Sequence, residues 1–178
     1  MRSIFQHIHH SIEQRLRPVE YARSIGVTVG DRCRLLNITN KTFGSEPYLI
    51  TIGEHVTVTS GVQFITHDGG VWVLRDAHPT LDVIQPIKVG NNVFIGINTI
   101  LLPGVTVGDN VILAAGAVVT KHIPSNTVAA GVPARAVQSI ETYAQKALSS
   151  GVPTKGYSPT EKRRFLEDRF AADHAKES

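Results

Sequence analysis

From Ile87 onward the chain sets an aliphatic side chain at every sixth position. Val89, Ile95, Leu101, Val107, Leu113 and Val119 form one series. Ile87, Val93, Thr99, Val105, Val111 and Ala117 form a second series two residues earlier, all apolar or small. Residues two apart share a face of an extended strand, so each hexad predicts a short strand with two inward side chains and then a turn. Gly90, Gly96, Gly108 and the pairs Asn91-Asn92 and Asp109-Asn110 supply the turn chemistry. A period of six fits neither a helix near 3.6 nor an ordinary hairpin sheet.

The same phase appears upstream as Val27/Val29 with Cys33/Leu35, and as Ile50/Ile52, Val56/Val58 and Val62/Phe64. It breaks at about 40–49 and 68–86, which reads as two loops inserted into a solenoid. Three hexads per turn make a triangular prism whose coils stack about 4.8 Å apart. Spacing does not give the hand of the coil, and general crossover rules favour a right-handed one. At the N-terminus Ile4, Phe5, Ile8, Ile12, Leu16 and Val19 fall at helical intervals, predicting an amphipathic cap on the open prism. A second helix is predicted over 137–148, packed along the coil. A third opens at the capping box Ser158-Pro159-Thr160-Glu161 and carries Phe165, Leu166 and Phe170, after a Gly/Pro/Ser linker at 149–157. The expected organisation is a helical cap at 1–24, a β-helix at 25–136 with the loop 68–86 inserted, and a helical extension at 137–178.

Composition narrows the function. Aromatics are only 6% of 178 residues, as the thin interior of such a prism requires. The net charge of 18 − 15 = +3, without Lys/Arg runs or interleaved aromatics, gives no sign of nucleic-acid binding. One cysteine, Cys33, excludes an internal disulfide framework and thiolate zinc sites; its phase points it into the coil. The N-terminus lacks the continuous apolar stretch of a signal peptide or membrane span, so cytoplasm is the expected compartment.

The hexads, together with Gly108-Asp109-Asn110 running to Ala117-Val118-Val119-Thr120-Lys121 and Ala129-Ala130-Gly131-Val132-Pro133-Ala134-Arg135, resemble the hexapeptide-repeat acyltransferases. The likeness covers about residues 18–140 and is strongest to the maltose/galactoside acetyltransferase group and to bacterial surface-polysaccharide O-acetyltransferases. It implies a mainly β fold, a left-handed parallel β-helix, usually trimeric, using acetyl-CoA. His67, in Phe64-Ile65-Thr66-His67-Asp68-Gly69-Gly70, matches the family's catalytic histidine, and an imidazole is suited to take a proton from a sugar hydroxyl near neutral pH. By the same resemblance the Ile97 backbone amide, after Gly96, is the oxyanion donor; the Ile97 side chain departs from the serine of the galactoside enzymes. The pantetheine arm is expected near Phe94, Gly96, Ala114 and Ala115, in a groove between subunits. Those small residues equally suit packing of a narrow coil. Thr120, Lys121 and Arg135 match positions at the nucleotide end, while Gln138 stands where a second arginine is common.

The excursion 68–86 is long enough to be functional. Trp72 offers a flat face for a sugar ring or an anchor onto a neighbouring subunit. Asp68 has three readings: orienting the imidazole, holding an acceptor hydroxyl or shaping the Asp-Gly-Gly turn. His78 and Glu46, in Glu46-Pro47-Tyr48, are further substrate-side candidates. His7, His9, His10 and His174 lie near the termini, and His55 and His122 share the outward phase of His67. No two histidines are five residues apart, the pair a γ-class carbonic anhydrase-like zinc site needs, so no metal is expected. The reading is a trimeric, acetyl-CoA-dependent O-acetyltransferase of a carbohydrate hydroxyl, acting by direct attack. Its rivals are N-acetylation of an amino sugar or antibiotic-type acceptor, and a non-catalytic hexapeptide scaffold.

Overall fold

A computed structural model describes residues 14–174. Three parallel sheets wind into a prism. On the first face lie β1 (Thr28–Val29), β3 (Ile50–Ile52), β6 (Ile87–Val89) and β9 (Thr106–Val107). The second face stacks β2 (Arg34–Leu35), β4 (Thr57–Val58), β7 (Val93–Ile95), β10 (Val111–Leu113) and β12 (Thr127–Ala130). The third holds β5 (Gln63–Phe64), β8 (Ile100–Leu101) and β11 (Val118–Val119). Partners in the regular part are 18 residues apart on every face: Lys88 with Thr106, Val93 with Val111, Ile100 with Val118. That is three hexads per coil.

Both inward series behave as their spacing requires. From Ile87 to Val119 each member is no more than 3% exposed, Thr99 included, and the upstream members Ile50, Ile52, Val56, Val58, Val62 and Phe64 are as deeply buried. The coil corners need left-handed backbone, which asparagine tolerates better than other side chains. Asn92, Asn98, Asn110 and Asn126 take it, with φ between 50° and 60°. At one corner their amides form a ladder: Asn92 Nδ2 donates to Asn110 Oδ1 (2.8 Å), and Asn110 Nδ2 to Asn126 Oδ1 (3.0 Å). His55 closes it through Nδ1, 2.9 Å from Asn92 Oδ1. Cys33 is only partly buried, packed against the core, and its Sγ lies 3.1 Å from Gly53 O.

The ends differ from expectation. Ile4, Phe5, Ile8 and Ile12 lie outside the described residues. Of the rest of the predicted cap, Leu16 is exposed, and a separate helix, α1 (Pro18–Ser24), buries Tyr21 and Ala22. Proline disfavours helical backbone at the residue before it, and Arg17 is extended in φ at −136°. No helix starts at 137: residues Arg135–Ser139 form β13, antiparallel to β12. The helix α2 follows at Ile140–Ser150 and buries none of its residues. The apolar spacing over 137–148 was shared between a strand and a helix, and Gly131 (φ 96°) supplies the reversal that turns the strand back.

The chain divides into two compact units, residues 1–143 and 144–178. In the second, α3 (Pro159–His174) begins as predicted: the Ser158 N–H donates to Glu161 Oε2 (2.8 Å) and the Glu161 N–H to Ser158 Oγ (3.3 Å). Phe165 packs edge-on against Tyr157.

Candidate active site

His67 stands where the third face of the second coil runs into the excursion. The base of that excursion is a short antiparallel contact: His67 bridges Ile84, the Asp68 N–H donates to Val83 O (2.9 Å), and the Gln85 N–H to Thr66 O (2.8 Å). The first loop meets it from below. Phe43, buried, stacks on Phe64 with centroids 5.7 Å apart, and the Phe64 N–H donates to Thr42 O. With the loop so pinned, Glu46 comes up behind the imidazole, its Oε2 3.1 Å from His67 Nδ1. Thr66 Oγ1 donates to the same oxygen at 2.6 Å. The Thr66 hydroxyl foremost, then the imidazole, hold the Glu46 carboxyl below the usual carboxylate range, against the opposing effect of partial burial. An ionised carboxylate only accepts, so Nδ1 is the donor in this pair, and in a neutral imidazole the lone pair then lies on Nε2.

The pair opens on a cleft of about 440 Å³, whose lining includes Asp68, Trp72, Arg75 and Asp82. Trp72 is 77% exposed and presents its ring to this space. Asp68 Oδ1 accepts the Gly70 N–H (2.8 Å), which shapes the Asp-Gly-Gly turn, while the carboxylate that meets His67 Nδ1 is that of Glu46. Glu46 also lines the cleft beside His67. His78 lies outside this cleft, in a separate depression with Leu74, Pro79 and Leu81. Arg75 ties the loop internally, to Asp82 Oδ1 (2.5 Å) and Pro79 O (3.1 Å).

The residues expected at the donor fall on two corners of the prism. Gly96, Ile97, Ala114 and Ala115 share the corner between the second and third faces, with half-exposed Phe94 on β7 beside it. A Cβ at Gly96 would lie 2.5 Å from Ala115 N, so consecutive coils touch there. Buried Thr99 donates through Oγ1 to Gly96 O (2.7 Å), and the Gly116 N–H to Ile97 O (2.7 Å). The Ile97 N–H has no acceptor among the described residues and its residue is 52% exposed. Thr120 and Lys121, both exposed, stand instead on the corner of His67, two coils on. Arg135 opens β13, its Nη1 donating to Ala134 O (2.8 Å). Thr66 was missed at the sequence level, yet it continues the inward series Val62, Phe64. A hydroxyl in that phase must find a buried partner.

Comparison with known proteins agrees with this architecture. The family model described as bacterial transferase hexapeptide (six repeats) matches residues 86–121. Protein CapG of Staphylococcus aureus is 53% identical over 148 residues, covering 83% of this chain and 86% of that protein. The chain belongs to the hexapeptide-repeat acetyltransferase family. Its prism is that family's left-handed parallel β-helix. A maltose O-acetyltransferase from Clostridium difficile 630 superimposes with a TM-score of 0.54 at 30% identity, over 67% of this chain and 73% of that one. The galactoside O-acetyltransferase of Escherichia coli (strain K12) is 41% identical over 96 residues, 53% of this hexapeptide-repeat chain and 46% of the relative, so the match spans about half of either. No helix among the described residues is long and apolar enough to cross a membrane.

Proposed function

We propose that the protein transfers the acetyl group of acetyl-CoA to a carbohydrate hydroxyl, with His67 as general base. The observation that carries this reading is the Glu46–His67 pair, 3.1 Å apart, opening on a cleft that contains an exposed tryptophan. In the proposed step His67 Nε2 takes the acceptor's hydroxyl proton while its oxygen attacks the thioester carbonyl. Nδ1–H stays on Glu46, whose negative charge stabilises the imidazolium. A C–O bond forms, the C–S bond breaks, and the thiolate of CoA leaves with the proton that His67 returns. The N–H of Ile97 is the donor for the oxyanion. No acyl-enzyme forms.

His67 and Ile97 stand on different corners of one prism, so they can meet only between two copies of the chain. This supports a trimer in which the His67 corner of one subunit, with Thr120 and Lys121, faces the Ile97 corner of the next. Between them lies the pantetheine arm, beside Phe94, Gly96, Ala114 and Ala115, with Arg135 toward the phosphates. Trp72 and Asp68 face the acceptor, in the cytoplasm where acetyl-CoA is supplied.

The test is turnover of acetyl-CoA with a panel of sugars and amino sugars, alongside calorimetric titration of acetyl-CoA. His67→Ala should lower kcat by about 10²–10⁴-fold, the usual contribution of a general base. Lys121→Ala and Arg135→Ala should weaken acetyl-CoA binding with turnover at saturation retained. Preference for an amino acceptor would move the reading to N-acetylation, and absence of acetyl-CoA binding at millimolar concentration would leave a scaffold.

A further inference from the structure

We infer that Thr66 is a positioning residue, whose hydroxyl holds the Glu46 carboxylate aimed at the imidazole of His67. The inference rests on the reading of His67 as the base, but its physical content is independent of turnover. Three observations combine. Thr66 is fully buried, 0% exposed, so its hydroxyl is directed to a protein partner rather than to solvent. Its Oγ1 lies 2.6 Å from Glu46 Oε2, the very oxygen that accepts from Nδ1. The backbone around it is held on two sides: Thr66 O accepts the Gln85 N–H at the return of the excursion, and the N–H of the preceding Ile65 donates to Leu101 O in the next coil. The carboxylate is therefore referenced to the rigid solenoid through Thr66, although Glu46 itself belongs to a loop.

A second donor on one carboxylate oxygen favours the charged form and fixes its direction. The lowered pKa of Glu46, with the Thr66 hydroxyl as its largest cause, agrees with this. Without that donor the carboxylate would be free to rotate, and a carboxylate turned away from Nδ1 could no longer specify which nitrogen of His67 keeps the proton.

The experiment uses Thr66→Val, Thr66→Ala and Thr66→Ser in the full chain. The Glu46 carboxyl titration is followed by carbon NMR and the His67 tautomer by nitrogen NMR. Val and Ala should raise the Glu46 midpoint and lower the Nδ1–H fraction of His67, whereas Ser should keep both at the wild-type values. In turnover, Val and Ala should lose about tenfold in kcat, from one hydrogen bond to a charged group, with the KM for acetyl-CoA unchanged. Folding of each variant is checked by melting, and Ala serves if Val disturbs the coil. Wild-type Glu46 and His67 signals in folded Val or Ala would overturn the inference, as would Ser behaving like Val. If His67→Ala were fully active while the NMR shifts appeared as expected, the base reading alone would fall.

Discussion

Replacing Gly96 by alanine tests whether the corner beneath Ile97 is a contact between backbones. The added Cβ would lie 2.5 Å from Ala115 N, 2.8 Å from Ala114 C and 2.8 Å from Leu113 O, all main-chain atoms of the next coil. None is the tip of a flexible side chain that could swing away. Relief requires the two coils to part by several tenths of an ångström at this corner. That strains the bonds tying them there, Gly96 N–H to Leu113 O (2.8 Å) and Gly116 N–H to Ile97 O (2.7 Å). Overpacking a tight site costs about 1–3 kcal/mol, and weakening buried backbone bonds adds about 1 kcal/mol each. A total of about 3–5 kcal/mol corresponds to a fall in Tm of roughly 6–20 °C for a chain of this size. The assay is thermal and urea unfolding at fixed protein concentration, with Leu148→Gln as the control. The Leu148 side chain is 85% exposed, so that change should alter stability by less than about 0.5 kcal/mol. If Gly96→Ala unfolded within 0.5 kcal/mol of wild type, about the error expected for a surface change, the close approach would not be what holds this corner.

Three further outcomes follow from the geometry. Asn110 combines φ 55° with two ladder bonds, so Asn110→Ala should destabilise more than Asn110→Gly, by about 1 kcal/mol in urea unfolding, because only glycine keeps the left-handed backbone without strain. Glu46 has a depressed folded pKa, so its contribution to stability is complete above its unfolded pKa and is lost as pH falls through the lower folded value. The acid limb of the stability curve should therefore flatten in Glu46→Gln, and an identical limb in both proteins would contradict the assignment. Finally, Ser158→Ala should speed amide exchange in the first turn of α3 several-fold while leaving the β-helix amides unaffected, read by hydrogen-exchange mass spectrometry.

The solenoid was legible because its rule is local. Two inward positions in six repeat without exception from Ile87 to Val119, and burial follows them. His67 was legible through resemblance, and Trp72 through its place in the excursion. Glu46 was named as a substrate-side candidate and does line the cleft, but its pairing with His67 was not foreseen, since nothing in a sequence says that Phe43 will anchor the first loop under Phe64 and bring that carboxylate to Nδ1. Thr66 carried a signal, a hydroxyl in an apolar phase, but its partner lies 20 residues upstream across an irregular loop. The strand β13 was hidden because its pairing depends on a chain reversal at 131–134, while the apolar residues around Val137 suit a helix equally well.

The excursion at 68–86 has a consequence for how this enzyme scaffold can change. On each face the strand before it and the strand after it are 37 residues apart: Ile50 with Ile87, Thr57 with Phe94, Gln63 with Ile100. The surplus over one coil is 19 residues on all three faces, the length of the excursion itself. Leaving and rejoining the prism at one point, it shifts every later coil by the same amount and displaces none sideways. The segment is thus a cassette. Grafting another loop of different length between Asp68 and Val83, whose backbone bond closes its base, should exchange the wall of the cleft that carries Trp72 while leaving the coils, and everything stacked beyond them, in register.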